Sequence, residues 1–244
     1  MGSPTPAPTT GNFEFFSDYE KTVYQLQPDL YAEIKQISDA ELRASAEQLG
    51  RPPKVLDVGS AGLIPYDAGL AESVTILDLF PQPSGLQLKP KISWQVGDIL
   101  KLEPGDESAH DVIVMSSLLH HLADKHNNAT ANVRRAFQNA AKRLRPGGKL
   151  LVFESVCPGS LALLQDLLYP VTSRILTGVL KFTYVRMLSR AELLGALAGS
   201  GLRHEEVAFR QPPYIAQMRW RVPSKYYPLS VGCFRATRPA EVRS

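Results

Sequence analysis

The sequence predicts an α/β fold built on a doubly wound sheet of seven strands. The sheet is mostly parallel, its last strand is antiparallel, and helices cover both faces under a helical lid. Three observations predict it. Five short runs rich in Val, Ile and Leu recur between residues 54 and 156. They lack apolar–polar alternation, the pattern of strands buried on both faces. A glycine turn follows the first run, in "VLDVGSAGLIP" from Val55 to Pro65.

The elements follow in order. Residues 12–50 repeat apolar positions every three or four, which reads as two short helices forming an N-terminal lid. Pro28 fits the first turn of the second helix, where its missing N–H costs nothing. The strands read as "KVLDVG" (54–59), "SVTILDLF" (73–80), "ISWQVGDI" (92–99), "HDVIVMSS" (110–117) and "KLLVFESV" (149–156). Between the last two, "ANVRRAFQNAAKRL" (131–144) is an amphipathic helix stopped by "RPGG". Residues 159–187 form an apolar, helical insertion over the expected cleft. In "SRAELLGALAGSG" (189–201), Ser189 and Glu192 have capping-box spacing, and Gly201 is placed to end the helix. "RHEEVAFR" (203–210) and "SVGCFRATR" (230–238) read as a closing antiparallel pair around a long aromatic loop.

Bulk composition narrows the function classes. The chain has 244 residues, 44% hydrophobic and 21% charged, which suits one sizeable domain over 51–244 after a tail at 1–11. A net charge of +3 is too mild for a nucleic-acid partner. The one basic run, Arg134 to Arg145, has helical spacing and reads as a solvated helix face. Two cysteines, Cys157 and Cys233, have no metal or redox spacing, so no metal is expected and a reducing, cytoplasmic setting fits. The start lacks a signal-peptide pattern, and no apolar run reaches membrane-spanning length.

In a doubly wound sheet, ligands bind beyond the carboxyl ends of the strands. There the sequence places Asp57 and the turn Gly59, Ser60, Ala61, Gly62 after the first strand. Asp78 and Leu79 end the second, Gly97, Asp98 and Ile99 the third, and Ser116 and Ser117 the fourth, followed by His120 and His121. With "LRPGG" at 144–148 added, this series over residues 53–156 resembles the class I S-adenosylmethionine-dependent methyltransferases, which have a Rossmann-like sheet. The resemblance implies S-adenosylmethionine as cofactor. It implies that Asp78 accepts the ribose hydroxyls, that Asp98 meets the adenine amino group, and that Ile99 packs on the ring. Asp57 then orients the loop near the amino end, and Ser116 and Ser117 meet the methionine part. Ala61 departs from the family's glycine run, and Pro65 and Gly69 imply a short or late first crossover helix.

The expected reaction is methyl transfer to an O or N atom of a small, planar or apolar metabolite, by in-line displacement dominated by positioning. A base is needed only if the nucleophile keeps its proton; His121, or else His120, is the candidate. His110, His126 and His204 read as surface residues. Aromatic side chains Phe13, Phe15, Phe16, Tyr19, Tyr24 and Tyr31 of the N-terminal segment, with Trp220 and Tyr226, sit in the segments expected to surround the cleft. Phe16, Tyr19, Tyr24 and Trp220 are the acceptor-binding candidates, against a plain packing role for each. "QPPY" (211–214) mimics an amino-methylating motif but follows the sixth strand, not the fourth. The expected partner is a small-molecule acceptor, without nucleic acid or membrane; a homodimer is compatible. Carbon or protein/RNA methylation, an NAD-dependent oxidoreductase and a non-catalytic binding protein of the same fold stay open.

Overall fold

The computed structural model describes residues 27–123, 130–173, 185–211, 214–217, 220–223 and 228–240. Helix α1 (Pro28–Leu49) has proline in its first turn, as expected, and ends at Gly50, left-handed at φ 67°. Strands β1 (Lys54–Val58), β2 (Ser73–Asp78), β3 (Ile92–Val96) and β4 (His110–Ser116) follow. The first crossover holds only a 3-10 turn, Ala68–Leu70, capped by the Asp67 side chain. After β4 come the one-turn helix α2 (Leu119–Leu122), α3 (Ala131–Arg143) and the long β5 (Leu144–Cys157). Helix α4 (Gly159–Ser173), β6 (Leu188–Ser189), α5 (Arg190–Ala198), β7 (Arg203–Arg210) and β10 (Ser230–Thr237) complete the main body. The aromatic loop contains a ribbon, β8 (Tyr214–Gln217) paired with β9 (Trp220–Pro223).

The sheet runs β3-β2-β1-β4-β5-β10-β7. Strands β1 to β5 pair in parallel, while β10 is antiparallel to both β5 and β7. The expected seven strands are therefore present, and a two-residue eighth, β6, pairs beside β5. Two apolar layers cover the sheet. One joins Leu56, Ile113, Leu150 and Val152 to α3 through Val133 and Phe137, and to α5 through Leu193 and Leu197. The other joins Val55, Val112, Val114 and Leu151 to Ile34 and Leu42 of α1. Tyr31 of α1 packs on that second layer. Glu41 pairs with Lys149 and Arg235, and Glu33 with Arg210, so the start of α1 points toward the carboxyl ends of the central strands.

Four details differ from the sequence reading. Helix α5 stops at Ala198 before Gly199, and Gly201 instead makes a left-handed turn ahead of β7. "RPGG" belongs to β5, where a Cβ on Gly148 would lie 2.9 Å from the Arg145 carbonyl and 3.0 Å from that of Asp111. The basic run is not wholly solvated, because Arg143 is buried and bonds Asp106 and the Lys101 carbonyl. His110 is half-buried within β4 rather than fully on the surface: its Nδ1 is sealed without a partner among the described residues, and burial pushes its pKa down to about 4.

The expected capping box is formed, with the Glu192 N–H donating to Ser189 Oγ and the Ser189 N–H donating to Glu192. Ser189→Ala is expected to remove about 0.5–2 kcal/mol of stability, read as a lower urea midpoint at unchanged slope.

Candidate functional site

The sheet reverses direction between β1 and β4, and the candidate residues gather beyond the carboxyl ends on both sides of that point. The turn after β1 is tight. Gly59 (φ 72°), Ala61 (φ 50°) and Gly62 (φ 90°) are all left-handed, so Ala61 takes a conformation that glycine holds more easily. The Gly59 N–H donates to the Leu77 carbonyl at 2.9 Å, and the Leu63 N–H to that of Ser60 at 2.8 Å. A Cβ on Gly59 would meet Leu118 Cδ1 at 2.6 Å, and one on Gly62 would meet Leu86 Cδ2 at 2.7 Å. The missing Cβ atoms thus let Leu118, ahead of α2, pack onto the turn.

Asp57 lies beneath this turn, 1% exposed, and its Oδ2 is sealed with no partner in hydrogen-bond geometry among the described residues. Ser60 Oγ and Tyr66 Oη beside it are likewise buried without a partner in hydrogen-bond geometry. Loss of hydration pushes the Asp57 carboxyl up to about 7, against the downward pull of the Ser60 and Tyr66 hydroxyls, and the Asp78 charge adds to the rise. Three sealed polar groups in one place are a cost unless something supplies donors or positive charge. Tyr66 escaped the sequence reading because nothing local marks a tyrosine that folds back under a loop.

Asp78 stands at the end of β2 and accepts the Phe80 N–H at 3.0 Å. Desolvation raises its pKa, opposed by the backbone N–H groups of Phe80, Ala61 and Leu79. Leu79 is 55% exposed at the rim. Gly97 continues the ladder by donating to the Asp78 carbonyl, and a Cβ there would meet Leu77 at 2.7 Å. Asp98 is half-buried and accepts the Leu100 N–H at 2.9 Å. Ile99 is 4% exposed in the core and its carbonyl accepts from Asn139, so Leu79 offers far more apolar surface for a ring. Ser116 is buried, and Ser117 is left-handed at φ 53° with its N–H on the Phe153 carbonyl.

The two histidines follow in α2. His120 Nδ1 lies 2.8 Å from Glu154 Oε1, and the His121 ring sits against it with centroids 4.2 Å apart. His121 keeps open surface while protein crowds round it, and that crowding with the neighbouring His120 holds its imidazole well below the usual range. Glu154 was missed by the sequence reading. The available signal was an acid inside the apolar run of β5, where a charge must have partners. Phe16, Tyr19, Tyr24, Tyr226 and His126 lie outside the described residues. Trp220 opens β9, its backbone opposite Gln217. His204 is exposed on β7. Among the described residues no group of His, Cys, Asp and Glu could hold a metal ion, and no helix is long and apolar enough to cross a membrane.

The residues present fit S-adenosylmethionine. Asp57's unpartnered oxygen suits a cationic end, the left-handed turn admits backbone close to a ligand, and Asp78 offers a carboxylate where a ribose would lie. Asp57's pKa exceeds its ordinary 3.8, so the folded chain holds a proton that the unfolded chain has lost between about pH 4 and 7. Stability from this group is complete below that window and is lost as pH rises through it. Asp57→Asn is expected to flatten this decline in the ligand-free protein, seen by comparing urea melts at pH 5 and pH 8. Asp78→Ala is expected to weaken S-adenosylhomocysteine binding by about 1–3 kcal/mol, roughly 5- to 150-fold, by calorimetry.

Residues 56–152 match the family described as "Methyltransferase domain". Among curated proteins, none matches the sequence. The YcgJ protein of Bacillus subtilis superposes with a TM-score of 0.54 at 14% identity, covering 77% of this chain and 92% of that one. The Burkholderia thailandensis 1,6-didemethyltoxoflavin-N1-methyltransferase, solved with 1,6-didemethyltoxoflavin and S-adenosylhomocysteine, gives 0.51 at 18% identity over 97% and 94% of the two chains. At such identities the superpositions speak for the fold. Over residues 56–152 the sequence thus matches a methyltransferase-domain family, and the superpositions show the same Rossmann-like fold.

Proposed function

We propose that the chain methylates an O or N atom of a small, planar or apolar metabolite. The observation that carries the cofactor side is the sign of the charge at the turn. Buried acids Asp57 and Asp78 flank it, and Asp57 has an oxygen with no partner in hydrogen-bond geometry among the described residues. A pyrophosphate placed there would meet two carboxylates in a low-dielectric pocket, whereas a cation would relieve them. This disfavours a dinucleotide and hence the oxidoreductase reading.

S-adenosylmethionine supplies a methyl group already activated on a positive sulfur, so the work left to the chain is binding, alignment and removal of any proton. Asp78 would accept the ribose hydroxyls, Asp98 the adenine amino group, and Leu79 would lie along the ring. Asp57 would face the ammonium end, with Ser60, Gly59 and Gly62 keeping the turn close, and Ser116 and Ser117 beside the methionine part. Alignment of two bound reactants can account for several kcal/mol of the barrier. Phe16, Tyr19, Tyr24 and Trp220 are proposed to hold the acceptor, and His120 or His121 to serve as base. The solved Burkholderia enzyme, whose name is that of an N-methyltransferase, supports a small heterocyclic acceptor.

Titration calorimetry separates the readings. S-adenosylhomocysteine is expected to bind at micromolar levels and NAD not at all; the reverse result would overturn the proposal.

A further inference from the structure

Glu154 is the best-satisfied buried acid beside the cleft, and no part of cofactor binding uses it. Its side chain is fully sealed, at 0% exposure. The Leu119 N–H donates to Oε2 at 2.6 Å and the Ser155 N–H to Oε1 at 2.9 Å, and His120 Nδ1 lies 2.8 Å from that same Oε1. An ionised carboxylate only accepts, so the hydrogen on the His120 ring sits on Nδ1 and Nε2 is left with its lone pair. Glu154 closes one side of the ring completely. About 13% of the His120 side chain stays exposed.

The backbone around the ring is fixed as well. The Ser117 N–H donates to the Phe153 carbonyl, and the Arg186 N–H to the His120 carbonyl at 3.2 Å. Arg186 is itself buried and forks onto Asp166 of α4, with a further bond to Glu192 of α5. On the other side, Leu118 packs on Gly59 of the cofactor turn, where even a Cβ would collide. The ring thus stands two residues from a side chain that touches the cofactor turn, on a segment anchored to β5, α4 and α5. Side chains on three elements and two backbone carbonyls fix its position.

Resting on the methyl-transfer reading, we infer that His120 is the catalytic base and Glu154 its positioning residue. The acceptor is then a hydroxyl or ring N–H compound that must lose a proton. In that step the acceptor's O–H or N–H bond breaks and the proton goes to His120 Nε2. The electron pair left on the acceptor forms the bond to the methyl carbon, and the carbon–sulfur pair stays on sulfur. The products are the methylated acceptor, S-adenosylhomocysteine and a His120 imidazolium, which returns its proton to water. Glu154 never touches the acceptor; it keeps Nε2 bare and aimed, and it offsets the imidazolium charge. His121, against the outer side of the same ring, is not the base, a reversal of the order in which the sequence ranks the two.

The test uses the full chain labelled with nitrogen-15, as wild type and as Glu154→Gln, Glu154→Asp, His120→Asn and His121→Asn. Calorimetry with S-adenosylhomocysteine comes first; if the wild type does not bind it, the methyl-transfer reading fails and not this one. Long-range proton–nitrogen spectra of the S-adenosylhomocysteine complex are then expected to show His120 as the Nδ1–H tautomer. Glu154→Gln is expected to convert it to a mixture of tautomers, and Glu154→Asp to restore it in part. An Nε2–H form in the wild type, or no change in Glu154→Gln, would overturn the inference. Transfer of labelled methyl from S-adenosylmethionine to a panel of phenols and N–H heterocycles gives the second readout. For any acceptor turned over, His120→Asn is expected to lower kcat by about 10²- to 10⁴-fold at little change in KM. Glu154→Gln is expected to follow in the same direction. Unchanged kcat in His120→Asn, or a larger loss in His121→Asn, overturns it. If no panel compound reacts, the tautomer result decides alone.

Discussion

A sheet covered on both faces leaves its chemistry one outlet, the ends of its strands. Strands β1, β2, β4 and β5 are apolar on both sides, one set of side chains facing α3 and α5 and the other facing α1. Polar groups within those strands would lose water and gain nothing. So three acids sit where the runs stop, Asp57 near the end of β1, Asp78 at the end of β2 and Asp98 just past β3, while Glu154, inside the run of β5, has its donors supplied by the protein. The reversal between β1 and β4 spreads those ends apart and opens the place where a ligand can enter.

The buried acids are handled in two opposite ways. Glu154 has its donors supplied by the protein and is therefore finished as a structural element. Asp57 has an oxygen without a partner in hydrogen-bond geometry among the described residues, with only the Ser60 and Tyr66 hydroxyls beside it, and burial pushes its carboxyl up to about 7. A carboxylate already saturated fixes geometry, whereas one kept short of partners is poised to meet a positive ligand. Both kinds stand at the same end of the sheet, Asp57 under the turn after β1 and Glu154 against a histidine.

Helix α4 does not sort its polar and apolar residues cleanly between inside and outside. Gln165 bonds the Met187 backbone, and Asp166, itself 49% exposed, bonds buried Arg186; Ala162 is buried, while Leu163, Leu164, Leu167 and Leu168 are exposed. Arg186 is buried beside the helix and takes Asp166 of α4 as one of its carboxylate partners. Periodicity reports only that a helix has two faces, and composition cannot say which one looks inward. Arg143 teaches the same lesson on α3, where a basic run that reads as solvated includes a side chain sealed against Asp106.

The sequence by itself determined the strand series, the parallel character of the sheet, the capping box at Ser189 and Glu192, and the order of acids along the rim. These are local or periodic properties: a strand buried on both faces must be apolar throughout, and a cap needs its two residues three apart. Tertiary structure alone decided the pairings between distant residues. Glu154 reaches His120 across 34 positions, Tyr66 folds back under Asp57, and Leu118 meets Gly59 across the reversal. It also decided that the "VLDVGSAGLIP" turn holds three left-handed residues with Ala61 among them, and that only a 3-10 turn stands where a crossover helix begins. Such features depend on which strand ends lie side by side, and neither spacing nor composition encodes that, because the chain must first close its sheet before those side chains are neighbours.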